Sequence, residues 1–287
     1  MSLYSLILLC VLLMSGGCDR QVQPDGARKE YFPTGKVRLE ENILDGKRDG
    51  LVKEFYDSGE LKTFWTYTMG KKEGPFKVYY KEGQVHSEGN YKDDEIDGVV
   101  KGYFPSGQLR GMIQAINKKF EGEVLEYYEN GQVKSKGQYQ DGEKEGVFLY
   151  SGPREEIQRE ENYQKGRLQG AFKRYDEQGR LSFIANFNNG RMQGVAKSFY
   201  VGGQVHSVYN YKDGKLDGIT RVYYDNGQWK DMKTYQNGKL NGLSYSYYPN
   251  GNVEYKINYA NGRLLGKIVA YSPDGKIQEE EYTQPEN

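Results

Sequence analysis

The chain contains two histidines, His86 and His206, and each lies in the same pentapeptide, GQVHS. Imidazole nitrogens bind metals and act as acids or bases near neutral pH, so a histidine pair could form a metal or catalytic site. The two copies are 120 residues apart, which is five times a 24-residue period that runs through the chain. If each period is a β-hairpin adding ~10 Å, the histidines are ~50 Å apart and cannot share an ion. We therefore interpret both as exposed polar residues.

The other reactive side chain is Cys18, which follows an uncharged apolar segment, Leu3–Met14, and the small residues Ser15-Gly16-Gly17. This order resembles the signal of bacterial lipoproteins. The resemblance implies a signal peptide over residues 1–17, a lipid on Cys18, and a tether over 18–25 that holds the protein to a membrane of the cell envelope, inner or outer. An ordinary secretory signal or a membrane anchor is the alternative.

Composition argues against several classes of function. The 287 residues include 40 basic and 40 acidic side chains, so no overall charge favours nucleic acid. No cysteine follows Cys18, so disulfides cannot stabilise the mature chain. We find no nucleophile, phosphate-loop or metal signature, and we expect no catalytic residue, no metal and no cofactor. The acidic cluster Asp93-Asp94-Glu95 with Asp97 lacks the spacing of a calcium loop and is interpreted as a solvated turn.

Glycine marks the period. It recurs every 24 residues from Gly26 to Gly266, and a second glycine follows nine residues later from Gly35 to Gly275, except where Glu155 replaces it. Aromatic pairs precede the second glycine, and the clearest are Tyr79-Tyr80, Tyr103-Phe104, Tyr127-Tyr128, Tyr223-Tyr224 and Tyr247-Tyr248. The pattern predicts ten 24-residue units over 26–265 and a partial unit, so that the repeat array covers 26–287.

Turn chemistry predicts that each unit is a hairpin. Turns such as Pro105-Ser106-Gly107 favour a three-residue loop, with proline starting a type I turn and glycine in the left-handed region. Pairs such as Asn237-Gly238 favour a second, tight turn. The segments between turns are short and rich in Tyr and Val, which disfavours helix. We therefore predict an all-β fold: an elongated, twisted, single-layer antiparallel meander of stacked hairpins.

Strand alternation should place the two rings of each pair on opposite faces. On the face of the first ring, two residues upstream, a basic ladder is expected to lay its stems over neighbouring rings. The possible interaction surface therefore comprises Tyr79, Tyr103, Tyr127, Tyr223, Tyr247, Lys77, Lys101 and Arg221. A second ladder of amide and hydroxyl side chains, such as Asn162, Asn210 and Thr234, either bonds along the array or contacts a ligand.

The pattern YY-x-N-G-x-V-x-x-x-x-x-Y-x-x-G-x-x-x-G, clearest in 127–146 and 223–242, resembles the bacterial variant of the MORN (membrane occupation and recognition nexus) repeat. The resemblance spans about 26–282. It implies stacked hairpins and an interaction role, and some bacterial members are labelled antitoxin-like.

Two units depart from the pattern. The unit at 98 has Ala115 and Lys118 where a ring and a glycine are expected. The unit at 146 has the segment 151–156, SGPREE, in place of its ring pair and turn. Sequence drift is one explanation, and a bend or partner site over 146–161 is the other. For this unit we expect a shortened first strand, a bulge at 151–156, and pairing maintained through Ile157 and Tyr163.

Three classes of function were weighed: an enzyme, an interaction scaffold, and an immunity or antitoxin-type protein. The repeat surface favours a non-catalytic, membrane-anchored scaffold that binds a protein, or alternatively a peptide or glycan, and no nucleic acid. The antitoxin alternative rests on the resemblance alone.

Overall fold

The computed structural model describes residues 25–282, with side chains as far as residue 280. Every regular element in this range is a β-strand, and the strand pairings are antiparallel. Contacts divide the chain into two compact units, one of residues 25–145 with 153–155, and one of residues 146–152 with 156–282. The predicted all-β meander of 24-residue hairpin repeats is confirmed.

The strands of the first unit are β1 Gly26–Tyr31, β2 Val37–Leu44, β3 Lys47–Arg48, β4 Gly50–Phe55, β5 Leu61–Thr68, β6 Lys71–Tyr79, β7 Val85–Lys92, β8 Glu95–Ile96, β9 Gly98–Tyr103, β10 Leu109–Ile116, β11 Lys119–Tyr127 and β12 Val133–Gln140. The remaining strands are β13 Glu143–Ser151, β14 Ile157–Gln164, β15 Arg167–Tyr175, β16 Leu181–Asn188, β17 Arg191–Met192, β18 Gly194–Phe199, β19 Val205–Lys212, β20 Lys215–Leu216, β21 Gly218–Tyr223, β22 Trp229–Gln236, β23 Lys239–Leu240, β24 Gly242–Tyr247, β25 Val253–Ala260, β26 Arg263–Leu264, β27 Lys267–Tyr271 and β28 Ile277–Tyr282.

The first turn of each repeat is the predicted three-residue loop. In the first repeat, the Phe32 N–H donates to the Lys36 carbonyl at 2.8 Å, and the Gly35 N–H donates to the Phe32 carbonyl at 2.9 Å. The second bond closes a type I turn from Phe32 to Gly35, in which Pro33 is the second residue and its ring fixes the required φ. Gly35 follows in the left-handed region at φ 83°, which is the geometry expected of this loop.

The second turn of each repeat is a two-residue loop in which both residues have positive φ, for example 50° at Asp45 and 70° at Gly46. Two positive φ angles define the type I′ turn, whose twist matches that of paired strands. Two repeats place a non-glycine residue at the second position, with φ 67° at Asp94 and 69° at Lys118. Left-handed backbone costs an L-residue ~1–2 kcal/mol, so these turns are strained.

We predict that Lys118→Gly stabilises the protein by about 0.5–1 kcal/mol, because glycine adopts the left-handed backbone without strain. The greater conformational entropy of glycine in the unfolded chain offsets part of this gain. The exposed ion pair of Lys118 with Glu95 contributes little. Chemical denaturation measures the change. The mirror-image control is Gly142→Lys, at the same position one repeat later, where φ is 84°; it should destabilise by a similar amount. A Lys118→Gly variant less stable than the parent would contradict this account.

The glycine that opens each period forms a bulge, a role that the sequence reasoning did not assign. Gly50 has φ 86° and lies just after the break between β3 and β4. The pairing with β2 runs Ile43↔Arg48 before the break and Glu40↔Lys53 after it, so its register shifts at the glycine. This local geometry needs positive φ, which glycine adopts without strain.

The residue two positions after the bulge glycine is buried in nine consecutive repeats, and its side chains line what we call the buried face: Val52, Phe76, Val100, Val124, Phe148, Phe172, Ala196, Thr220 and Ser244. Closing rings such as Tyr67 and Tyr91 pack beside them on the same face. The opposite face, here the exposed face, carries the first rings and the basic ladder. Each repeat therefore supplies one small contribution to a thin core, as in other repeat arrays.

The divergent repeat at 146 keeps the ordinary strand pairing. β13 pairs with β14 from Gly146↔Tyr163 to Ser151↔Ile157, so the predicted pairing through Ile157 and Tyr163 is confirmed. The prediction of a shortened first strand is wrong, because β13 has nine residues, as does β11. Its register shift at Tyr150/Ser151 is the one that other repeats show, and Glu155 takes the left-handed φ, 69°, usually taken by glycine.

Candidate interaction surface

Tyrosines at the second position of the aromatic pairs act as clamps between repeats. Tyr80 donates its hydroxyl proton to the Tyr103 carbonyl at 2.9 Å, and Tyr224 donates to the Tyr247 carbonyl at 2.8 Å. The same bond to a backbone carbonyl 23 residues later is made by Tyr56, Tyr200 and Tyr248. Strand alternation predicted only that these rings lie on the opposite face from the first rings; their hydroxyls in addition link each repeat to the next.

We predict that Tyr80→Phe destabilises the protein by about 1 kcal/mol, the usual net worth of one hydrogen bond. Position 104 is the same site one repeat later, where phenylalanine lacks the hydroxyl. Phe104→Tyr should therefore stabilise by a similar amount, through a new bond to the Tyr127 carbonyl. Urea denaturation of the two variants measures both changes. Equal and negligible shifts would show that the clamp contributes nothing.

The histidine positions correct one sequence interpretation. His86 packs edge-on against Tyr80 with ring centroids 4.8 Å apart, and His206 packs against Tyr200 at 4.7 Å. Both are half-buried rather than exposed, and burial lowers the pKa of His86. In other repeats the same position holds Arg110 or another cation over the second ring. The histidines are therefore ring-packing variants of that contact, and no acidic or histidine cluster suited to a metal occurs among residues 25–282.

The basic ladder forms ion pairs more than ring contacts. Lys77 lies 3.0 Å from Glu88, which also accepts a proton from the Tyr103 hydroxyl at 2.6 Å. Lys173, Glu160 and Tyr175 repeat this arrangement in the second unit, and Lys29 pairs with Glu40. Tyr103 and Lys77 are thus held by internal partners. Lys101 is exposed.

Burial, together with the bond to Glu88, raises the pKa of Tyr103 to about 12. A raised pKa means that the folded state favours the protonated phenol, so this stability is present below pH ~10 and is lost as pH rises towards ~12. We predict alkaline unfolding in this interval, and Tyr103→Phe should reduce the loss. Unfolding midpoints measured between about pH 8 and about pH 12 test it; an unchanged pH profile in the variant would count against it.

Side chains of the amide and hydroxyl ladder donate hydrogen bonds to the carbonyl of the residue that follows the bulge glycine. Asn162 donates to the Ala171 carbonyl at 2.7 Å, Thr66 to the Pro75 carbonyl at 3.0 Å, and Thr234 to the Leu243 carbonyl at 2.9 Å. Of the two interpretations left open by the sequence, these contacts support hydrogen bonding along the array.

In the second unit, Arg221 and four rings form a cluster at the surface. The Arg221 guanidinium carbon lies 5.7 Å from the centroid of Trp229, whose ring is edge-on to Tyr247 at 5.7 Å. Tyr245 stacks on Tyr247 at 6.1 Å, and Tyr223 pairs with Trp229 across the hairpin. We call Arg221, Tyr223, Trp229, Tyr245 and Tyr247 the aromatic cluster. Trp229 is 42% exposed, so part of its ring is accessible to solvent.

Of the residues proposed for the interaction surface, Arg221 and Tyr247 lie in this cluster with Trp229 and Tyr245, and Tyr223 lies opposite Trp229 in the strand pairing. Trp229 occupies a position that is valine in neighbouring repeats, as at Val205 and Val253, and the larger ring there is the signal in the sequence. Tyr79 and Tyr127 lie in the first unit and do not join this cluster. Tyr79 tilts against Phe64 at 6.5 Å, and Tyr127 lines a shallow groove of about 280 Å³ with Arg110 and Lys134.

The hypothesis of lipidation at Cys18, with its signal peptide and tether, concerns residues outside the described range, apart from Asp25. Between residues 25 and 282, no helix is long and apolar enough to span a bilayer.

The fold defines a hairpin-repeat protein. Family comparison agrees with this class: the model described as MORN repeat variant matches residues 24–45, 48–67, 72–93, 96–117, 120–141, 216–237 and 240–261. These segments cover more than half of the chain, which therefore belongs to the MORN repeat variant family. The family is generally non-catalytic and its repeats suggest a scaffold or interaction role. The strands between 142 and 215 repeat the same bulges and turns.

Among curated proteins, no sequence matches the chain. Several solved structures do: a crystal structure of TcdB2-TccC3-Cdc42 at 13% identity and TM-score 0.18, one of TcdB2-TccC3 at 14% and 0.20, and a Photorhabdus luminescens Tc holotoxin pore at 15% and 0.19. Each match covers 85% of this chain but only 14% of the other, so the chain spans about a seventh of their length. At these scores the likeness carries no argument about function.

Proposed function

We propose that the protein is a lipid-anchored, non-catalytic scaffold of the bacterial cell envelope that binds a protein partner through the aromatic cluster. The observation that carries the proposal is the exposed indole of Trp229 beside Arg221 and Tyr247. Trp, Tyr and Arg are the residues that most often dominate binding energy at protein interfaces. The regular hairpins on either side hold these side chains on strands, so that little order has to be gained on binding.

The anchor is the second part of the proposal, and it rests on the sequence preceding Cys18. A lipidated Cys18 followed by a tether of a few residues would keep the repeats near the membrane. Expression in a bacterial host, with mass spectrometry of the mature N-terminus, tests this. Acyl mass on Cys18 that disappears in Cys18→Ala is the expected result, and recovery of the parent protein as a soluble, unmodified chain would contradict it.

Site-specific photo-crosslinking tests the binding surface. A photoreactive phenylalanine analogue placed at position 229 of the lipidated protein should capture a defined partner in intact cells. The matched control places it at Val201, which is 69% exposed in the same unit but lies in a turn outside the cluster. Capture at 229 alone supports the proposal. Equal capture at both positions, or at neither, would overturn it.

Under the antitoxin alternative the same surface binds the partner, and only the identity of the partner, a toxin, differs. A crosslinked partner whose toxicity is relieved by the protein would favour that alternative over a scaffold.

A further inference from the structure

An aliphatic residue directly follows the bulge glycine in most repeats of the second unit, and it points away from the buried face. Val147, Val195, Ile219 and Leu243 occupy this position and are 49%, 44%, 37% and 40% exposed. The residue after each of the last three is buried: Ala196, Thr220 and Ser244. The bulge therefore presents one exposed aliphatic side chain per repeat at a fixed position.

Two further apolar residues fill the intervals between these side chains. Val208 pairs with Lys197 and Arg221 on the neighbouring strands, and Met232 pairs with Arg221 and Tyr245. Both lie on the exposed face, one row away from Val195, Ile219 and Leu243. The zigzag of Val195, Val208, Ile219, Met232 and Leu243 is here named the aliphatic band.

Cations border the band. The row that contains Val208 and Met232 reads, in spatial order from β16 to β25, Ile184, Lys197, Val208, Arg221, Met232, Tyr245 and Lys256. It includes three basic side chains and no carboxylate. Arg221 belongs both to this row and to the aromatic cluster, so the band is continuous with the surface proposed above.

The spacing of the band matches an α-helix. Strands are ~4.8 Å apart, so apolar side chains alternate between two rows every ~5 Å and return to the same row every ~10 Å. The a and d positions of a heptad alternate by three and four residues, or ~4.5 and ~6 Å, and repeat every ~10.5 Å. An extended peptide repeats each face every ~6.6 Å and does not keep this register.

We propose that the aliphatic band docks an amphipathic helix of the protein partner, with apolar a and d positions on the band and acidic residues facing Lys197 and Arg221. The inference rests on the proposed function and names the chemistry of the partner at that surface. A lipid bilayer fits less well, because Asn210 and Thr234 alternate with the aliphatic residues and would enter the apolar phase with them.

A synthetic peptide tests the fit. The probe is a labelled peptide of about three heptads, with leucine at a and d, glutamate at e and g and alanine elsewhere, used below the concentration at which it self-associates. The control is a peptide of the same composition in which the positions of the leucines are shuffled. Fluorescence anisotropy with the full chain should show binding of the probe and at least about tenfold weaker binding of the shuffled peptide.

Variants locate the site. Ile219→Asp and Leu243→Asp should each weaken the probe by about tenfold or more, because they replace an exposed apolar contact with a charge that repels the glutamates. The matched control is Leu51→Asp, which changes the same repeat position in the first unit, at 46% exposure, and should alter affinity less than about twofold. Unchanged circular dichroism in all three variants excludes loss of the fold. Equal binding by parent and Ile219→Asp would overturn the inference.

Other occupants give distinct results. Anionic vesicles that bind the parent but not Ile219→Asp, with no peptide binding, would assign the band to a lipid surface instead. A dimer that dissociates in Leu243→Asp would assign it to a second copy of the chain. If crosslinking at position 229 persists in Ile219→Asp and the peptide does not bind even the parent protein, the docking inference falls and the proposed function stands.

Discussion

Phe76→Ala is expected to destabilise the first unit by about 3–5 kcal/mol, the usual cost of emptying a fully buried aromatic site. Phe76 is only 2% exposed. Its ring lies 5.0 Å from that of Tyr91 and 5.7 Å from that of Trp65, and Val100 packs beside it. A sheet with such a thin core has few atoms that can collapse into the space, which favours the upper part of the range.

Fluorescence of Trp65 provides a local measurement. The chain has only two tryptophans, so Trp229→Phe leaves Trp65 as the sole reporter, in contact with the altered site. The control is Val99→Ala, which is 45% exposed and should change stability by less than about 0.5 kcal/mol. A loss below ~1.5 kcal/mol for Phe76→Ala would show that the ring cluster is not the core of this unit.

Gly89→Ala tests the same cluster by adding volume to it, whereas Phe76→Ala removes volume. A Cβ at position 89 would lie 2.8 Å from the Phe76 ring and 3.1 Å from Val100, closer than normal contacts allow. Overpacking of this kind costs about 1–3 kcal/mol. Combining Gly89→Ala with Phe76→Leu should recover part of that loss, because the smaller side chain makes room.

Glu161→Gln should produce the second large effect, about 2–3 kcal/mol, in the divergent repeat. Glu161 is 8% exposed, lies 3.0 Å from the Arg159 Nε and accepts the Tyr163 hydroxyl proton at 2.8 Å. Breaking a fully buried pair costs ~3–5 kcal/mol. The lower figure applies here because the Arg159 side chain is 42% exposed and solvent screens part of the charge.

A spectroscopic signature separates this effect from a loss of packing. Burial and then the Glu161 carboxylate raise the pKa of Tyr150 to about 12, and the same two causes raise the pKa of Tyr163. Removing the negative charge should lower the pKa of both phenols, which ultraviolet titration of tyrosine detects. Glu155→Gln, on an exposed turn of the same repeat, is the control and should leave both titrations and stability unchanged.

Sequence reasoning predicted the hairpins because turn chemistry is local. Pro33 and Gly35 encode their loop within five residues, and the turn glycine recurs in every repeat except the one with Glu155. Sequence reasoning did not predict the buried position two residues after each bulge glycine. A bulge changes the strand register locally, so simple alternation does not show which face the following residues take. The signal was present: residues 52, 76, 100 and 124 are Val, Phe, Val and Val.

The candidate site was predicted only in part, for a related reason. Periodicity identifies equivalent positions in the repeats, but it does not show which of these side chains form hydrogen bonds or ion pairs within the protein. Tyr103 is held by Glu88, whereas Trp229, Tyr245 and Tyr247 meet because ring-bearing residues occur together on adjacent strands. Likewise, the adjacent residues Glu160 and Glu161 point to opposite faces and each has its own partners, which periodicity does not reveal.

The tyrosine clamp also bears on how such a chain can change its length during evolution. The hydroxyl of one repeat bonds a main-chain carbonyl of the next, at a fixed separation of 23 residues, as from Tyr200 to Tyr223. Every residue type offers that carbonyl, so duplicating or deleting a 24-residue segment of the gene creates junctions in which each clamp still finds an acceptor. Growth or contraction of the array therefore requires no compensating substitution, and a lineage can adjust the reach of its surface by recombination alone.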